Sequence, residues 1–522
     1  MDGTSKSARS SHRSPDLRAL ALAVMQPGFV GLTPPDWVLR ELEAGLGGVA
    51  LFARNIDTLE QVAALNAQIH TANPRALIAV DEEAGDVTRL EHATGSSWPG
   101  NLALGVVDDV ALTEAVAREI GTLLARVGID LDYAPDADVN NNPANPVIGV
   151  RSFGADPALV ARHTAAWITG LQSAGVLACA KHFPGHGDTA TDSHLALPVV
   201  TLEGLEHVAL QPFRAAIEAG TASIMSAHIV VQGLDDQPAT LSRKVLVDLL
   251  RTQLGFTGLV LSDGMEMGGI TGSMSLAEGC VRAIGAGVDL LCIGGGLADE
   301  QTVLEVAEAL VAAVHDGRLE ESRLVDAAQQ VGRAADERTR LREAAAAASA
   351  KTAAATWASA TGVHNVSGVE AAGRAIVVHG PAPTAATDKA PTVIELAAPS
   401  NIAVGDETLS GIATAVAGRW PGARTTVVSN ERELLDALPG ADGHNVWVGV
   451  RDPHRHAWMA PALATLLAAR PDAVVIDTGW PGWTAPTGTT HVVTHGAARV
   501  TADQVVQLLA PETPSPRPGF HT

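Results

Sequence analysis

From about residue 18 to about residue 340 the chain repeats one pattern: a short β-branched apolar run, a polar cluster, then an amphipathic stretch. The runs are GGVALFA, ALIAVDEE, IDLDYAP, VLACAKHF, ASIMSAHIVV, GLVLSD and VDLLCIGG, with a weaker first one near LALAVMQPGFVG. The stretches between them read as helices. In DPALVARHTAAWITGLQSAG, Asp156 suits an N-cap, Pro157 the first helical position and Gly175 the residue after the end. Eight strands alternating with helices predict an α/β fold, a (β/α)8 barrel.

Titratable residues gather at one end of this pattern. VDEE, APDADVN, KHFPGHG, SAHI and SDGMEM each stand at the carboxyl end of an apolar run. In a barrel those ends open on one face, where the loops build the site, whereas structural acids and histidines would be scattered over both ends. A catalytic barrel is expected over residues 16–345, after a disordered start of residues 1–15. The Ala-rich stretch LREAAAAASAKTAAATWASATG has high helix propensity and few large apolar anchors, so residues 346–370 read as a connecting helix and linker. Over residues 371–511 a second series, RAIVVHG, TVIELAA, RTTVVS, HNVWVGV, DAVVIDTG and HVVTHG, predicts a smaller α/β open-sheet (sandwich) domain. The Pro-rich end, residues 512–522, reads as disordered.

A length of 522 residues exceeds what one core usually supports, in keeping with two domains. A formal charge of −23 with no Lys/Arg-rich block argues against nucleic acid as a partner, because its phosphates would be repelled. Cys179, Cys280 and Cys292 are too few and too scattered for a disulfide frame or a thiolate metal cage. The apolar patch ALALAVMQPGFVGL is short, is broken by Pro27 and Gly28, and lacks a small-residue cleavage pattern. No run approaches the length of a membrane span. A cytoplasmic protein without a membrane partner is the expectation, and nothing in the sequence speaks to oligomeric state.

The chemistry concentrates in KHFPGHGDTATDSH, residues 181–194. His182, His186, His194, Asp188 and Asp192 lack the one-face helical spacing of a zinc protease, and Pro184, Gly185 and Gly187 make a poor cage, so no metal is expected. A phosphate cradle needs its lysine after the glycines, whereas Lys181 precedes them. No cofactor is expected either. Acid–base chemistry remains. Asp192 and His194 are two positions apart, close enough for the carboxylate to fix the imidazole tautomer and support the imidazolium. Asp263 of LVLSDGMEMGG, at the end of a fully apolar strand, is the best complementary nucleophile. Plainer readings stand beside these: a cap or ion-pair carboxylate for Asp263, a solvated loop residue for His194, a barrel-mouth carboxylate for Asp81. Lys181 also suits a Schiff-base lyase. His228 of MSAHI reads equally as packing the mouth or touching substrate, and His186 as shaping the loop. Asp289 reads as a mouth carboxylate, and Trp480 and Trp483 as core or as a sugar platform.

Taken together, KHFPGHGDTATDSH, LVLSDGMEM, VDEEAGDVTRL and VIGVRSFG resemble the β-N-acetylhexosaminidases of glycoside hydrolase family 3 across the whole first domain. The resemblance implies that Asp263 is a nucleophile forming a glycosyl-enzyme. It implies that Asp192, Ser193 and His194 supply a histidine acid/base in place of the second carboxylate of most retaining glycosidases. By the same match Asp81 holds sugar hydroxyls, while Arg89, Arg151, Lys181 and His182 bind the N-acetylglucosamine ring and its substituents. The chain departs from the family's first motif at Ala84, Gly85 and Asp86, where Gly–Gly–Arg is usual. The implied activity is a retaining β-N-acetylglucosaminidase acting on terminal β-linked N-acetylglucosamine, as in cell-wall muropeptides or chitin fragments. Inorganic phosphate is an alternative acceptor to water, and a non-catalytic amino-sugar-binding protein is the rival from another class.

Overall fold

The computed structural model describes residues 16–189, 197–295, 299–352, 365–381, 389–398, 411–438 and 445–511. Eight short parallel strands form the curled sheet of the first domain: Met25–Pro27 (β1), Gly48–Leu51 (β2), Leu77–Val80 (β3), Leu131–Asp132 (β4), Leu177–Phe183 (β5), Ser223–Ser226 (β6), Leu259–Ser262 (β7) and Leu291–Ile293 (β8). From β2 to β7 each strand pairs with the next in sequence, and β8 pairs with β1. A bridge between Leu261 and Leu290 links β7 to the entry of β8. Beside β2 a side chain ties β1 to β3, as Gln26 Nε2 passes Gly48 to donate to Leu77 O at 2.9 Å. A Cβ at Gly48 would lie 2.1 Å from that carbonyl, so only glycine fits there. This is the expected curled parallel sheet, with the weak first strand as its eighth member.

Alternation along each strand separates two faces. Leu77, Ala79, Leu131, Cys179, Leu261 and Cys292 fill the interior, whereas Ile78, Val80, Ala180, Val260 and Ile293 pack outward against helices. Both faces are buried, which is why the strands read as continuous apolar runs. All three cysteines are free and buried. The helix Pro157–Ser173 forms as expected, with Asp156 accepting from Ala158 N at 2.7 Å and Gly175 left-handed at φ 92° beyond its end. A long helix, Glu321–Thr352, closes the amino end of the barrel. Its Val331, Ala334 and Leu341 join the interior cluster, and Arg338 and Arg342 donate to the carbonyls of Ala76 and Ile129 ahead of β3 and β4.

The second domain is a six-stranded sheet between two helical layers. Its strands are Val377–His379 (β9), Thr392–Leu396 (β10), Arg424–Val428 (β11), Val446–Val450 (β12), Val474–Asp477 (β13) and Thr490–Val493 (β14). Their order is β9-β14-β13-β12-β10-β11, parallel except for β9 at the edge. The domains meet around Trp98, whose indole donates to Glu119 at 2.9 Å; Glu119 also accepts from Ser367 N at 3.0 Å. Gly368 packs so close that a Cβ there would lie 2.6 Å from the Trp98 ring. Among the described residues no helix is long and apolar enough to cross a membrane.

Candidate active site

The carboxyl ends of the barrel strands open on a cleft of about 420 Å³. Asp81 and Glu83 follow β3, Lys181 and His182 lie in β5, and Asp263 directly follows β7. Arg89, Tyr133, Arg151, Glu266 and Cys292 complete much of the lining. Six expected site residues, Asp81, Arg89, Arg151, Lys181, His182 and Asp263, thus come together around one cavity. Asp192, Ser193 and His194 lie outside the described residues.

One wall is a continuous ionic chain. Lys181 Nζ stands 2.6 Å from both Asp81 Oδ1 and Glu83 Oε1. Arg151 grips Glu83 with two prongs, Nε to Oε2 at 2.9 Å and Nη2 to Oε1 at 2.8 Å. The same Nη2 donates to His182 Nε2 at 3.3 Å, and His182 Nδ1 donates to Asp138 Oδ2 at 2.7 Å. Arginine can only donate, so the ring proton of His182 sits on Nδ1 and Nε2 accepts. Burial, with the Arg151 charge beside it, lowers His182 to about 4 and keeps the ring neutral near pH 7. Burial alone would depress Lys181, but Asp81 and Glu83 outweigh it and hold the ammonium above its ordinary value. Burial would likewise raise Glu83, yet Arg151 and Lys181 hold it well below the usual carboxylate range. Asp81 is the more open acid of this wall, with Arg89 Nη2 3.9 Å from its Oδ2. The wall therefore offers a fixed array of charged donors and acceptors to a polar ligand.

Asp263 faces the cleft half-buried. Its Oδ1 accepts from Gly264 N at 2.8 Å, and its own N–H donates to Ser226 O at 3.1 Å. His228 is fully buried beneath this turn, with Nε2 donating to Gly264 O at 2.9 Å and Nδ1 2.9 Å from the Thr240 hydroxyl. Of its two readings, packing the mouth is the one observed. Glu266 ties the same turn to the one after β8, accepting from Gly294 N at 3.1 Å and from Gly295 N.

Asp138 holds the base of the histidine-rich loop. Its Oδ1 accepts from His186 N at 2.6 Å, while Oδ2 takes the His182 ring and, at 3.3 Å, the His182 backbone. Burial pushes Asp138 up, and burial with the Asp138 charge pushes Asp136 up to about 7. His186, lowered to about 4 by burial, bonds the Thr189 hydroxyl at 2.8 Å and shapes the loop as expected. Among the described residues, Asp136, Asp138 and His182 are the one trio whose ligand atoms lie close enough to share a metal ion. Arg151 Nη2 already stands 3.6 Å from Asp136 Oδ2, and both nitrogens of His182 are engaged, so a guanidinium meets the charge requirement of that trio.

Some expectations change. Asp289 is not at the mouth: it lies just before β8, at the amino end, buried between Arg251 at 2.5 Å and Arg323 at 2.6 Å. A Schiff-base role for Lys181 requires a neutral amine, and its two carboxylate partners oppose that. Trp483 packs against the second domain's core, with its ring edge-on to His491 at 5.1 Å; neither it nor Trp480 lines the cleft. Asp86 turns away from the cleft toward the second domain, where it pairs with Arg451. Glu83 and Asp138 carry much of the geometry without having been singled out. Both stand in the quoted clusters VDEE and APDADVN, and only their neighbours across the barrel distinguish them from the acids beside them.

Residues 38–334, more than half of the chain, match the glycosyl hydrolase family 3 N-terminal domain. Over 297 residues the chain is 34% identical to β-hexosaminidase A of Pseudoalteromonas piscicida, a match covering 51% of this chain and 50% of that protein. It is 40% identical over 266 residues to the β-hexosaminidase of Thiobacillus denitrificans, covering 49% of this chain and 74% of the relative. These matches therefore span half to three-quarters of the relatives' length. The fold is similar to a solved glycoside hydrolase family 3 β-N-acetylglucosaminidase from Paenibacillus sp. str. FPU-7, with a TM-score of 0.79 and 30% identity over 94% of this chain and 96% of that one. Motifs, cleft and comparisons agree: the chain belongs to glycosyl hydrolase family 3, among its β-hexosaminidases.

Proposed function

We propose that this chain is a retaining β-N-acetylglucosaminidase that removes terminal β-linked N-acetylglucosamine through a covalent glycosyl-aspartate. The observation that carries the reading is that Asp263 lines the same cavity of about 420 Å³ as the Asp81–Lys181–Glu83–Arg151 wall. A sugar held by that wall presents its anomeric carbon toward Asp263, whose Gly264 N–H bond orients the attacking carboxylate. Glu83, locked between two cations, is a poor proton donor, and Asp81 shares the same lysine. This supports assigning the acid to His194, polarised by Asp192, on the loop that Asp138 anchors. His194 protonates the leaving oxygen and then takes a proton from the acceptor. The names of the relatives agree with an N-acetylated amino sugar as the group transferred.

The test is an aryl β-N-acetylglucosaminide assayed beside the matching glucoside, with and without phosphate. Cleavage of the first far in excess of the second is expected, with phosphate raising turnover only if it competes with water as acceptor. Equal rates on both glycosides would overturn the amino-sugar assignment, and no turnover would favour a sugar-binding protein.

A further inference from the structure

We propose that Arg451, in the second domain, is a positioning residue for the substrate-binding loop that follows β3, an inference that rests on the function proposed for the cleft. The loop runs from Asp81 to Arg89, and both of its ends line the cavity, as do Glu83 and Val87. Its tip is Asp86, 5% exposed and aimed the other way. The Asp86 carboxylate takes the Arg451 guanidinium on Oδ2 and accepts from Ala497 N on Oδ1 at 2.7 Å. Arg451 directly follows β12 and Ala497 comes shortly after β14, so the carboxyl edge of the second sheet faces the loop.

The loop is built to transmit this contact. Ala84 and Gly85 are both left-handed, at φ 62° and 63°. Glu83 N bonds Val87 O at 3.0 Å and Val87 N bonds Ala84 O at 3.2 Å, which closes a tight turn around Asp86. Gly85 N donates to Trp98 O at 3.0 Å, and a Cβ on Gly85 would lie 2.5 Å from Gly100 Cα, so the turn cannot slide toward the barrel. With that side fixed, the Arg451 pair holds the other. A left-handed alanine is strained and persists only where its surroundings hold it. The contact places the second domain in the binding function although, among the described residues, none of its side chains lines the cavity.

The experiment compares wild type with Arg451→Met, Arg451→Lys and the double variant Asp86→Asn/Arg451→Met, which removes both charges of the pair together and retains an acceptor for Ala497 N. Hydrogen exchange on peptides covering residues 82–90 reads the loop itself, whatever the substrate. Steady-state kinetics on an aryl β-N-acetylglucosaminide reads the consequence. Faster exchange in that loop is expected for both methionine variants, with KM raised about tenfold, kcat within about twofold, and Arg451→Lys in between. Unchanged exchange and unchanged KM in the double variant would overturn the proposal. So would a fall in kcat and melting temperature with KM unmoved, the mark of a purely structural contact. Failure of wild type to cleave the substrate would sink the functional reading instead, and exchange would still decide whether Arg451 holds the loop.

Discussion

Two acids in adjacent positions, Glu82 and Glu83, have opposite fates. Glu83 meets two cations and stays ionised; Glu82, buried outside the cleft lining, accepts from Arg89 N at 3.0 Å and Leu90 N at 2.9 Å, and is pushed by burial up to about 7. A carboxyl raised in the folded state holds its proton where the unfolded chain has lost it. Its stabilising contribution is therefore complete below the unfolded value near 4.5 and is lost as pH rises through about 7. Glu82→Gln keeps an acceptor for both amides and removes the titration. Relative to wild type it should gain stability between pH 5 and pH 8, on the order of 3 kcal/mol. Urea unfolding at the two pH values checks this, and a pH-independent difference would contradict it. His194→Ala tests the other end of the chemistry. A sugar alkoxide needs a proton to leave and an activated phenolate does not, so the loss should be about 10²–10⁴ for natural linkages and much smaller for activated ones. Equal losses would remove the acid/base role from His194.

At the scale of elements, the strands were legible because a strand buried on both faces must be apolar throughout. The site's face was legible because polar clusters end those runs. That Asp81, Lys181, His182 and Asp263 meet around one cleft was legible through motifs. Asp138 was not: APDADVN holds two aspartates two positions apart, and only the folded loop shows Asp136 bonding Asp138 N while Asp138 gathers three donors from residues 182–186. Nor was Asp289, since an acid beside a strand is ambiguous until Arg251 and Arg323 are seen at the amino end. Asp138→Ala should leave buried donors of His182 and His186 unsatisfied, costing about 2–5 kcal/mol and lowering kcat/KM. Denaturant unfolding with parallel kinetics measures both, and wild-type stability in the variant would mean that the loop is held elsewhere.

For the whole molecule, the junction at Trp98 makes the domains one packed unit, not beads on a linker. Glu119 bonds the Trp98 indole on one side and the amide of Ser367 on the other. Arg374 reaches back to Asp109 at 2.9 Å. Gly368→Val would drive a side chain into the Trp98 ring, where even a Cβ would lie at 2.6 Å. Such overpacking costs about 1–3 kcal/mol, so the melting temperature should fall while the barrel's own strands keep their hydrogen-exchange protection. Loss of protection throughout β2–β7 would mean that the barrel depends on the second domain for its fold.

The central claim is that Asp263 becomes covalently glycosylated. A fluorinated N-acetylglucosaminyl fluoride slows release of the sugar more than its attachment, and mass spectrometry of the digested protein then locates the label. Attack expels the anomeric fluoride, and the account predicts a single fluoro-N-acetylglucosaminyl adduct on the peptide that contains Asp263, and none on the Asp263→Asn variant. A label on Asp81, Glu83 or Glu266, or turnover that inverts the anomeric centre with no adduct, would contradict it.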